Sequence, residues 1–439
     1  MEDSRLEGVM RWAFVVSLAV LAFLYGAFSW RFQLFPSSYL DRAWDQAQAI
    51  VPQFTGAVDA HFETPLVYEE SGVKAVRPDA MSPGLTLIVT RWPELGGDAG
   101  LRLLDADGRI VHEWRVTPEE IFSDAAQIQI HGTHLHADGD VLINLNVGTA
   151  RLDACGNVEW KLRHGGHHSI DQADDGTFWI SGYERDVPTD RYPGLEGTLE
   201  LVNTLTRVSP EGKVLDEIIV LDILYENGME RLIPKYGVAG RREDITHLND
   251  VEALDGSMAE AYPGFDRGDL VVSLRNLHHV FVVDPESRRI LWQNHGSLIR
   301  QHDPDFIGDG WIGIFDNNSD GTERGTMLGG SRILAIRPST GEEKVLFPTP
   351  AAEPFYTPEM GKWQRLPNGN LLLTEGQAGR VVEVTPEGHT VWEWIAEPYK
   401  EGTVAEVTEG TRYPFDTIRV SGWACSRADS GEVGERRRP

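Results

Sequence analysis

Cysteine is scarce in this chain of 439 residues, which contains only Cys155 and Cys425. Two thiols cannot build a disulfide-dense scaffold, and they cannot supply the ligands of a four-thiolate zinc site. A single disulfide is possible, because two cysteines in an oxidising compartment can pair. Their separation along the sequence does not tell how close they lie in space.

Positive charge is also in short supply. The chain has 40 Lys and Arg residues against 68 Asp and Glu residues, a formal net charge of −28. Because such a surface repels nucleic acids at long range, we expect no nucleic-acid partner. A phosphate-binding loop of the Gly-x-x-x-x-Gly-Lys type is absent as well. With 41% hydrophobic and 9% aromatic residues, the chain can still bury a core.

One long uncharged run lies near the amino terminus. Residues 12–30, WAFVVSLAVLAFLYGAFSW, approach the ~20 residues that a helix needs to cross a bilayer. We interpret this run as an uncleaved transmembrane signal anchor, because the apolar region of a cleaved signal is usually about 7–15 residues. Residues 1–11 then form a short N-terminal segment, and residues 31–80 form a linker with a short helix. We expect the large domain that follows on the extracytoplasmic side, periplasmic or extracellular.

From about Pro83 onward the sequence shows short β-type runs, such as LTLIVTRW, VLINLNV and RVVEVT, and no long amphipathic helix. A turn of the type DADGRIVHEW occurs six times, with a spacing of about 50 residues. Four short strands in each such repeat are typical of a propeller blade. We therefore predict an all-β fold, a six-bladed β-propeller over residues 81–424, with residues 412–423 closing the ring and residues 425–439 as a disordered tail. The competing β-sandwich does not explain the fixed period.

Histidine recurs at one place in this repeat. His131, His168 and His302 precede the Gly of the next turn by 8 residues, and His247 precedes it by 9. Because the innermost strand of each blade lines the channel of a propeller, we expect these imidazoles to converge on one rim. In the sixth unit, Trp363 lies close to the equivalent position. Other histidines lack this placement and are interpreted as structural: His112, His278, His279 and His389.

Clustered imidazoles suit two kinds of chemistry. Neutral imidazole binds zinc, copper, iron or nickel, although the sequence has no His-x-x-x-His pair on a predicted helix. Alternatively, one histidine can be the nucleophile of a covalent mechanism, with neighbouring donors that stabilise charge on the transferred group. Arg275, which follows a strand in the same unit as His247, is a candidate donor.

These residues resemble the arylsulfate sulfotransferase family of nucleotide-independent propeller enzymes. The resemblance covers roughly Met81 to Trp394 and rests on three segments: HHSIDQADDGTFWI, HLNDVEALDG with DLVVSLRNLHHVFVVD, and RQHDPDFIGDGWIGIFDNN. It implies transfer of a sulfuryl group from a phenolic sulfate ester to an acceptor phenol through a sulfated histidine. It implies no adenylyl-sulfate cofactor.

The resemblance also implies roles for single residues. His302 would be the nucleophile. Apart from the resemblance, the adjacent Asp303 is a candidate to orient it. His168, His247 and Arg275 would hold the sulfate oxygens and protonate the leaving phenolate. We predict no cofactor and no metal ion in this site. Four residues are predicted to contact the substrate: His131, Asn249, Asp303 and Trp363.

Two other functions stay open. A non-catalytic propeller could bind a protein, a glycan or a small anion at its channel mouth, because propellers host many functions. A metal-dependent enzyme could use the ring of histidines. The expected partners are a phenolic sulfate donor, a phenol acceptor and a membrane through the N-terminal helix, while a homo-oligomer stays open.

Overall fold

The fold is described from a computed structural model, which covers residues 2–31, 62–95, 99–123, 129–195, 198–233 and 244–425. The chain divides into two units, Met1–His61 and Phe62–Pro439.

The first unit contains one long helix, α1, Glu2–Arg31. Within it, Met10–Ser29 is long and apolar enough to cross a membrane by length and composition. Its apolar side chains occur all round the helix, as in a membrane span and unlike an amphipathic surface helix. This segment largely coincides with the predicted span at 12–30. The short helix predicted in the linker falls among residues 32–61, outside the described residues.

The second unit consists mainly of β-strands. Its two described α-helices are α2, Pro118–Ile121, and α3, Val220–Glu226. The strands of its first half are β1 (Glu63–Pro65), β2 (Gly72–Ala75), β3 (Leu85–Arg91), β4 (Ala99–Leu104), β5 (Ile110–Arg115), β6 (Ile130–Leu135), β7 (Val141–Leu145), β8 (Gly148–Leu152), β9 (Val158–Arg163), β10 (Gly165–Gln172), β11 (Phe178–Pro188), β12 (Thr198–Val208) and β13 (Val214–Ile219). Those of its second half are β14 (Leu248–Ala253), β15 (Leu270–Leu274), β16 (His279–Val283), β17 (Ile290–His295), β18 (His302–Phe306), β19 (Ile312–Asp316), β20 (Arg332–Arg337), β21 (Glu342–Phe347), β22 (Lys362–Arg365), β23 (Leu371–Glu375), β24 (Arg380–Val384), β25 (Thr390–Ile395), β26 (Pro398–Lys400), β27 (Thr403–Ala405) and β28 (Val407–Tyr413).

These strands form six antiparallel sheets of four or five strands and a small three-stranded sheet, β1-β27-β26. The larger sheets are β28-β3-β4-β5, β6-β7-β8-β9, β10-β11-β12-β13, β14-β15-β16-β17, β18-β19-β20-β21 and β22-β23-β24-β25-β2. Their first strands, β28, β6, β10, β14, β18 and β22, contact one another in a closed ring. This arrangement is a β-propeller, as predicted. The predicted number of six blades stays a prediction. The six larger sheets in the described part of the chain agree with it.

Alternation along each strand explains how the sheets pack. In β19, Ile312 and Ile314 belong to a core with Val280 of the preceding sheet, whereas Phe315 packs in a core with Leu373 of the following sheet. Successive side chains of a strand point to opposite faces, so one strand serves two cores. Both faces of the sheet are therefore buried, which is why the sequence shows nearly continuous apolar runs.

The ring closes where β28 pairs with β3. This corrects the predicted closing strand at 412–423, because the observed strand begins earlier, at Val407, and ends at Tyr413. Pro414 follows, and its carbonyl accepts the N–H groups of Thr417 and Ile418 in a turn, so the chain cannot continue as a strand. At the other end of the unit, β2 pairs with β25, so the sheets include residues ahead of the predicted boundary at 81.

The segment after β28 is fixed to the propeller. The indole Nε1 of Trp423 donates to the carbonyl of Ala137 at 2.8 Å. Cys425 forms a disulfide with Cys155, with 5.3 Å between their Cα atoms. The pairing left open by the sequence is thus formed, and it anchors the first residue of the predicted tail. Residues 426–439 of that tail lie outside the described residues.

The innermost strands are also joined by hydrogen bonds that the backbone of one strand donates to side chains of the preceding strand in the ring. The backbone N–H donors and the side-chain acceptors are Val251 to Ser169 Oγ (3.0 Å), Phe306 to Glu252 Oε2 (3.0 Å), Trp363 to Asp303 Oδ2 (2.7 Å) and Thr133 to Glu409 Oε2 (3.0 Å). Three of these acceptors, Ser169, Asp303 and Glu409, are buried, so their loss would leave buried N–H groups unpaired. The backbones of neighbouring innermost strands are therefore held in place relative to one another.

Candidate active site

The innermost strands are irregular at or directly beside the predicted histidines. The pairing register shifts between Ile130 and Gly132 in β6, Gly166 and Ile170 in β10, Leu248 and Asp250 in β14, and His302 and Pro304 in β18. A bulge leaves a residue unpaired and re-aims its side chain. His168 and His247 adopt positive φ angles of 53° and 50°, which few residues other than Gly and Asn adopt. Such backbone outliers at equivalent sites of several blades point to function.

The structure brings the four predicted histidines together. The Nε2 atoms of His168 and His247 lie 3.2 Å apart. The centre of the His168 ring is 5.4 Å from that of His131 and 5.7 Å from that of His302. Residues from four different blades therefore form one cluster.

A fifth imidazole, that of His167, joins this cluster. Its ring centre lies 4.3 Å from that of His168 and 4.6 Å from that of His247, and its Nδ1 donates to the Leu248 carbonyl at 2.9 Å. Strand alternation would send neighbouring side chains to opposite faces, which is why His167 was not predicted. The bulge in β10 removes that alternation. The only sequence signal was the pair of histidines at the repeat position.

His302 is held in one tautomer. Its Nδ1 donates to Asn317 Oδ1 at 2.6 Å and faces the Arg300 carbonyl at 3.1 Å. The amide of Asn317 is oriented in turn, because its Nδ2 donates to the carbonyls of Thr357 and Met360. The proton therefore resides on Nδ1 of His302, and Nε2 carries the lone pair. This Nε2 is buried and without a hydrogen-bond partner.

His247 has a carboxylate partner that the sequence did not indicate. Its Nδ1 donates to Oδ2 of Asp244, and its backbone N–H donates to Oδ1 of the same side chain at 2.9 Å. Asp244 thus fixes both the backbone and the ring of His247. In the neutral ring, Nε2 of His247 is an acceptor, so His168 is the donor in the short contact between them.

Burial keeps these imidazoles neutral. It lowers the pKa of His302 to about 3, with the charge of Arg275 as a second cause, and it lowers the pKa of His131 to about 3. The pKa values of His168 and His247 fall well below the usual value for the same main reason, while Asp244 opposes the fall for His247. At neutral pH the cluster offers lone pairs and few protons.

Arg275 supplies positive charge beside the cluster. It begins a 3-10 helix, Arg275–Leu277, directly after β15, and its backbone N–H donates to the carbonyl of His247 at 3.0 Å. Its guanidinium lies 3.9 Å from a carboxylate oxygen of Glu359. Burial lowers its pKa to about 10, so it stays charged at neutral pH.

A narrow cavity opens onto the cluster. It is lined by His131, His168, Asn249, His302, Asp303, Met360, Gly361, Lys362 and Thr408. Three lining atoms have no partner: His302 Nε2, His131 Nδ1 and Asn249 Oδ1. The cavity holds about 20 Å³, room for one water molecule, which needs roughly 10–15 Å³. A larger group fits only where the lining side chains move apart.

Two predicted site residues have other partners. Asp303 does not orient His302, because its Oδ1 lies 2.7 Å from Lys362 Nζ and its Oδ2 accepts the N–H of Trp363. The indole of Trp363 is buried in the core between two sheets and donates to the Asp303 carbonyl at 2.9 Å. It packs on Gly313, where a Cβ would lie 2.2 Å from the ring. Trp363 is thus a core residue, and the predicted substrate contact is corrected.

Lys362 lies at the centre of a buried layer of carboxyl groups. Its Nζ is 3.7 Å from Asp250 Oδ1, in addition to the contact with Asp303. Burial raises the pKa of Asp250 to about 7 and that of Asp171 to about 6. These groups therefore titrate near neutral pH. The sequence offered one signal for Lys362, since it directly follows the residue equivalent to the histidines of the other blades.

A comparison with protein families relates these residues to known proteins. Residues 135–397 match the model of the family described as Arylsulfotransferase (ASST), which covers more than half of the chain. The matched range includes four of the five clustered histidines and Arg275, and it excludes His131. No curated protein matches the chain.

Several solved structures have a low similarity to this chain. A protein of unknown function from Bacteroides caccae is 13% identical, with a TM-score of 0.48 over 73% of this chain and 97% of that one. TolB from Acinetobacter baumannii is 13% identical, with a TM-score of 0.43 over 75% of this chain and 67% of that one. The WD40 β-propeller domain of Doa1 is 10% identical, with a TM-score of 0.42 over 82% of this chain and 97% of that one. At these TM-scores the likenesses carry no weight for function.

Proposed function

Because this chain belongs to the arylsulfotransferase family, we propose that it transfers a sulfuryl group from a phenolic sulfate ester to an acceptor phenol through a sulfated His302. One observation carries the proposal. The Nε2 atom of His302 is buried and unpartnered, and its lone pair is maintained by the hydrogen bond from Nδ1 to Asn317. A fixed lone pair at the wall of a cavity is what a histidine nucleophile requires.

In the first half of the reaction, the lone pair of His302 Nε2 forms a bond to sulfur. The bond between sulfur and the phenolic oxygen breaks, and its electron pair goes to that oxygen. His247, protonated at both ring nitrogens and stabilised by Asp244, donates the proton on Nε2 to the leaving phenolate. His247 is neutral in the free protein, so it takes up this proton when the anionic ester binds.

The second half reverses these steps. The acceptor phenol returns a proton to Nε2 of His247 while its oxygen bonds to sulfur. The bond between sulfur and His302 breaks, and Nε2 regains its lone pair. The N–H at Nδ1 of His302 keeps its hydrogen bond to Asn317 Oδ1 throughout, so the ring keeps one orientation.

Arg275 and His168 stabilise charge on the sulfuryl oxygens in both halves. Arg275 remains positive at neutral pH and lies close enough for its charge to lower the pKa values of His302 and His247. A buried donor aimed at charge that develops in the transition state is worth about 2.7–4 kcal/mol. No adenylyl-sulfate donor is part of this proposal, since the group comes from a phenolic ester.

The enzyme is proposed to be a membrane-anchored protein with its propeller outside the cytoplasm. The apolar segment Met10–Ser29 supports the anchor. The disulfide between Cys155 and Cys425 supports the location, because disulfides persist in oxidising compartments.

The test uses full-length protein in detergent with a chromogenic phenolic sulfate and excess phenol. We expect release of the chromophore to depend on the acceptor and to follow ping-pong kinetics. His302→Ala should abolish release, and His389→Ala, which removes an exposed imidazole, should not. Inactive wild-type protein against a broad panel of phenolic sulfates, or an active His302→Ala variant, would count against the proposal.

A further inference from the structure

Three imidazoles of the cluster have the spacing of metal ligands. One ring nitrogen from each of His167, His168 and His247 lies within 4.8 Å of the other two. The closest pair, Nε2 of His168 and Nε2 of His247, is 3.2 Å apart. With Zn–N bonds of 2.0–2.1 Å, two nitrogens of a tetrahedral site lie about 3.3 Å apart. This pair already has that separation, and the third nitrogen, which lies within 4.8 Å of both, needs to approach by at most about 1.5 Å.

The partners of these rings point to the same use. Nδ1 of His247 donates to the Asp244 carboxylate, and Nδ1 of His167 donates to the Leu248 carbonyl. Each bond leaves the lone pair on Nε2. Histidines that bind metal ions almost always donate their other N–H to a carboxylate or a carbonyl, which fixes the tautomer.

Sulfate oxygens do not explain this arrangement by themselves. They are hydrogen-bond acceptors, and the neutral Nε2 atoms of His167 and His247 are acceptors too. A cation between the rings takes the place of the one proton that His168 and His247 share, and it accepts the lone pairs of His167 and His247 as well. Three imidazole ligands favour a transition-metal ion over Mg²⁺ or Ca²⁺, which prefer oxygen ligands.

We propose that His167, His168 and His247 bind one divalent transition-metal ion such as Zn²⁺, with a coordination position left open. The site does not include His302, whose ring lies beside it, 5.7 Å from the His168 ring between centres. This proposal does not rest on sulfuryl transfer. The two proposals assign different partners to His168 and to Nε2 of His247: the metal ion here, and the sulfuryl oxygens and a proton in the transfer reaction. Both leave the role of His302 unchanged.

The experiment measures metal content and ligand geometry on full-length protein. Chelator-treated protein is titrated with Zn²⁺ in the presence of excess Mg²⁺, which occupies the carboxylates of this acidic chain. We expect one Zn²⁺ per chain, and on replacement with Co²⁺ the visible absorption bands of a tetrahedral site. His167→Ala should lose both, while His389→Ala should keep both.

A second variant covers the case in which His167→Ala does not fold. Asp244→Asn keeps all three ligands and removes the carboxylate that polarises His247, so Zn²⁺ affinity should fall about 10–100-fold with stoichiometry unchanged at saturation.

Two results would overturn the proposal: no Zn²⁺ bound by wild-type protein in excess Mg²⁺, or the same stoichiometry and Co²⁺ spectrum after His167→Ala. Phenol transfer is assayed separately. Its absence from protein that binds one Zn²⁺ per chain would sink the transferase proposal and leave the metal site standing.

Discussion

Asn317→Ala should separate the orientation of His302 from the stability of the fold. The amide oxygen of Asn317 accepts from His302 Nδ1 at 2.6 Å, and the amide nitrogen donates to the carbonyls of Thr357 and Met360. Loss of these buried bonds should lower the free energy of unfolding by roughly 2–3 kcal/mol, at about 1 kcal/mol each. His302 retains the Arg300 carbonyl as a weaker acceptor. We therefore expect kcat to fall by about tenfold. This factor corresponds to about 1.4 kcal/mol, the contribution of one hydrogen bond that selects the tautomer of His302.

The neighbouring residue provides a matched control. Asn318 is also buried, and its Nδ2 donates to the carbonyls of Leu328 and Gly330 at 3.0 Å each, without contact to His302. Asn318→Ala loses a similar set of bonds and places Ala at a φ of 49°, which costs roughly 1–2 kcal/mol more. Per folded molecule, its kcat should stay within about twofold of wild type. Unfolding by denaturant and initial rates of chromophore release measure both quantities. Equal rates for the two variants would refute the assigned role of Asn317.

Three further predictions concern the cation, the disulfide and pH. Arg275→Ala should lower kcat by about 10²–10³-fold, because it removes the positive charge beside the nucleophile. A loss of less than fivefold in initial rates would contradict a role in stabilising charge on the sulfuryl oxygens. Cys425→Ser should lower the free energy of unfolding by roughly 2–5 kcal/mol, since its bond to Cys155 spans 270 residues, and an unchanged denaturation midpoint would speak against this. The value of kcat/KM for the donor should not fall between pH 7.5 and pH 5, because the pKa of His302 is about 3 and its Nε2 stays unprotonated. The rates are measured only at pH values at which circular dichroism shows folded protein. A fall in kcat/KM with an apparent pKa near 6.5 would contradict this prediction.

The sequence predicted those features that depend on local pattern and on the repeat. Strands such as β3 and β19 follow from apolar runs bounded by Gly-containing turns, which are short-range signals. The convergence of His131, His168, His247 and His302 follows from their shared repeat position, because a propeller brings equivalent positions of its blades to one rim. Neither inference required knowledge of a long-range contact.

The rest of the site depends on contacts that the pattern does not encode. Asn317 faces His302 only because β19 pairs with β18, and the sequence pointed to the adjacent Asp303 instead. Asp244 acts through a loop ahead of β14 that has no repeat counterpart. His167 joins the cluster because of a bulge, which arises from the pairing of two strands and is invisible to a rule of alternation.

The most direct test of the central claim is to locate the transferred group on the protein. Full-length enzyme is mixed with excess phenolic sulfate without acceptor, then digested and mapped by mass spectrometry under non-acidic conditions. The proposed mechanism predicts one added sulfuryl group per chain, on His302, which disappears when phenol is added. Chromophore release without any adduct, or an adduct on another residue that persists in His302→Ala, would contradict it.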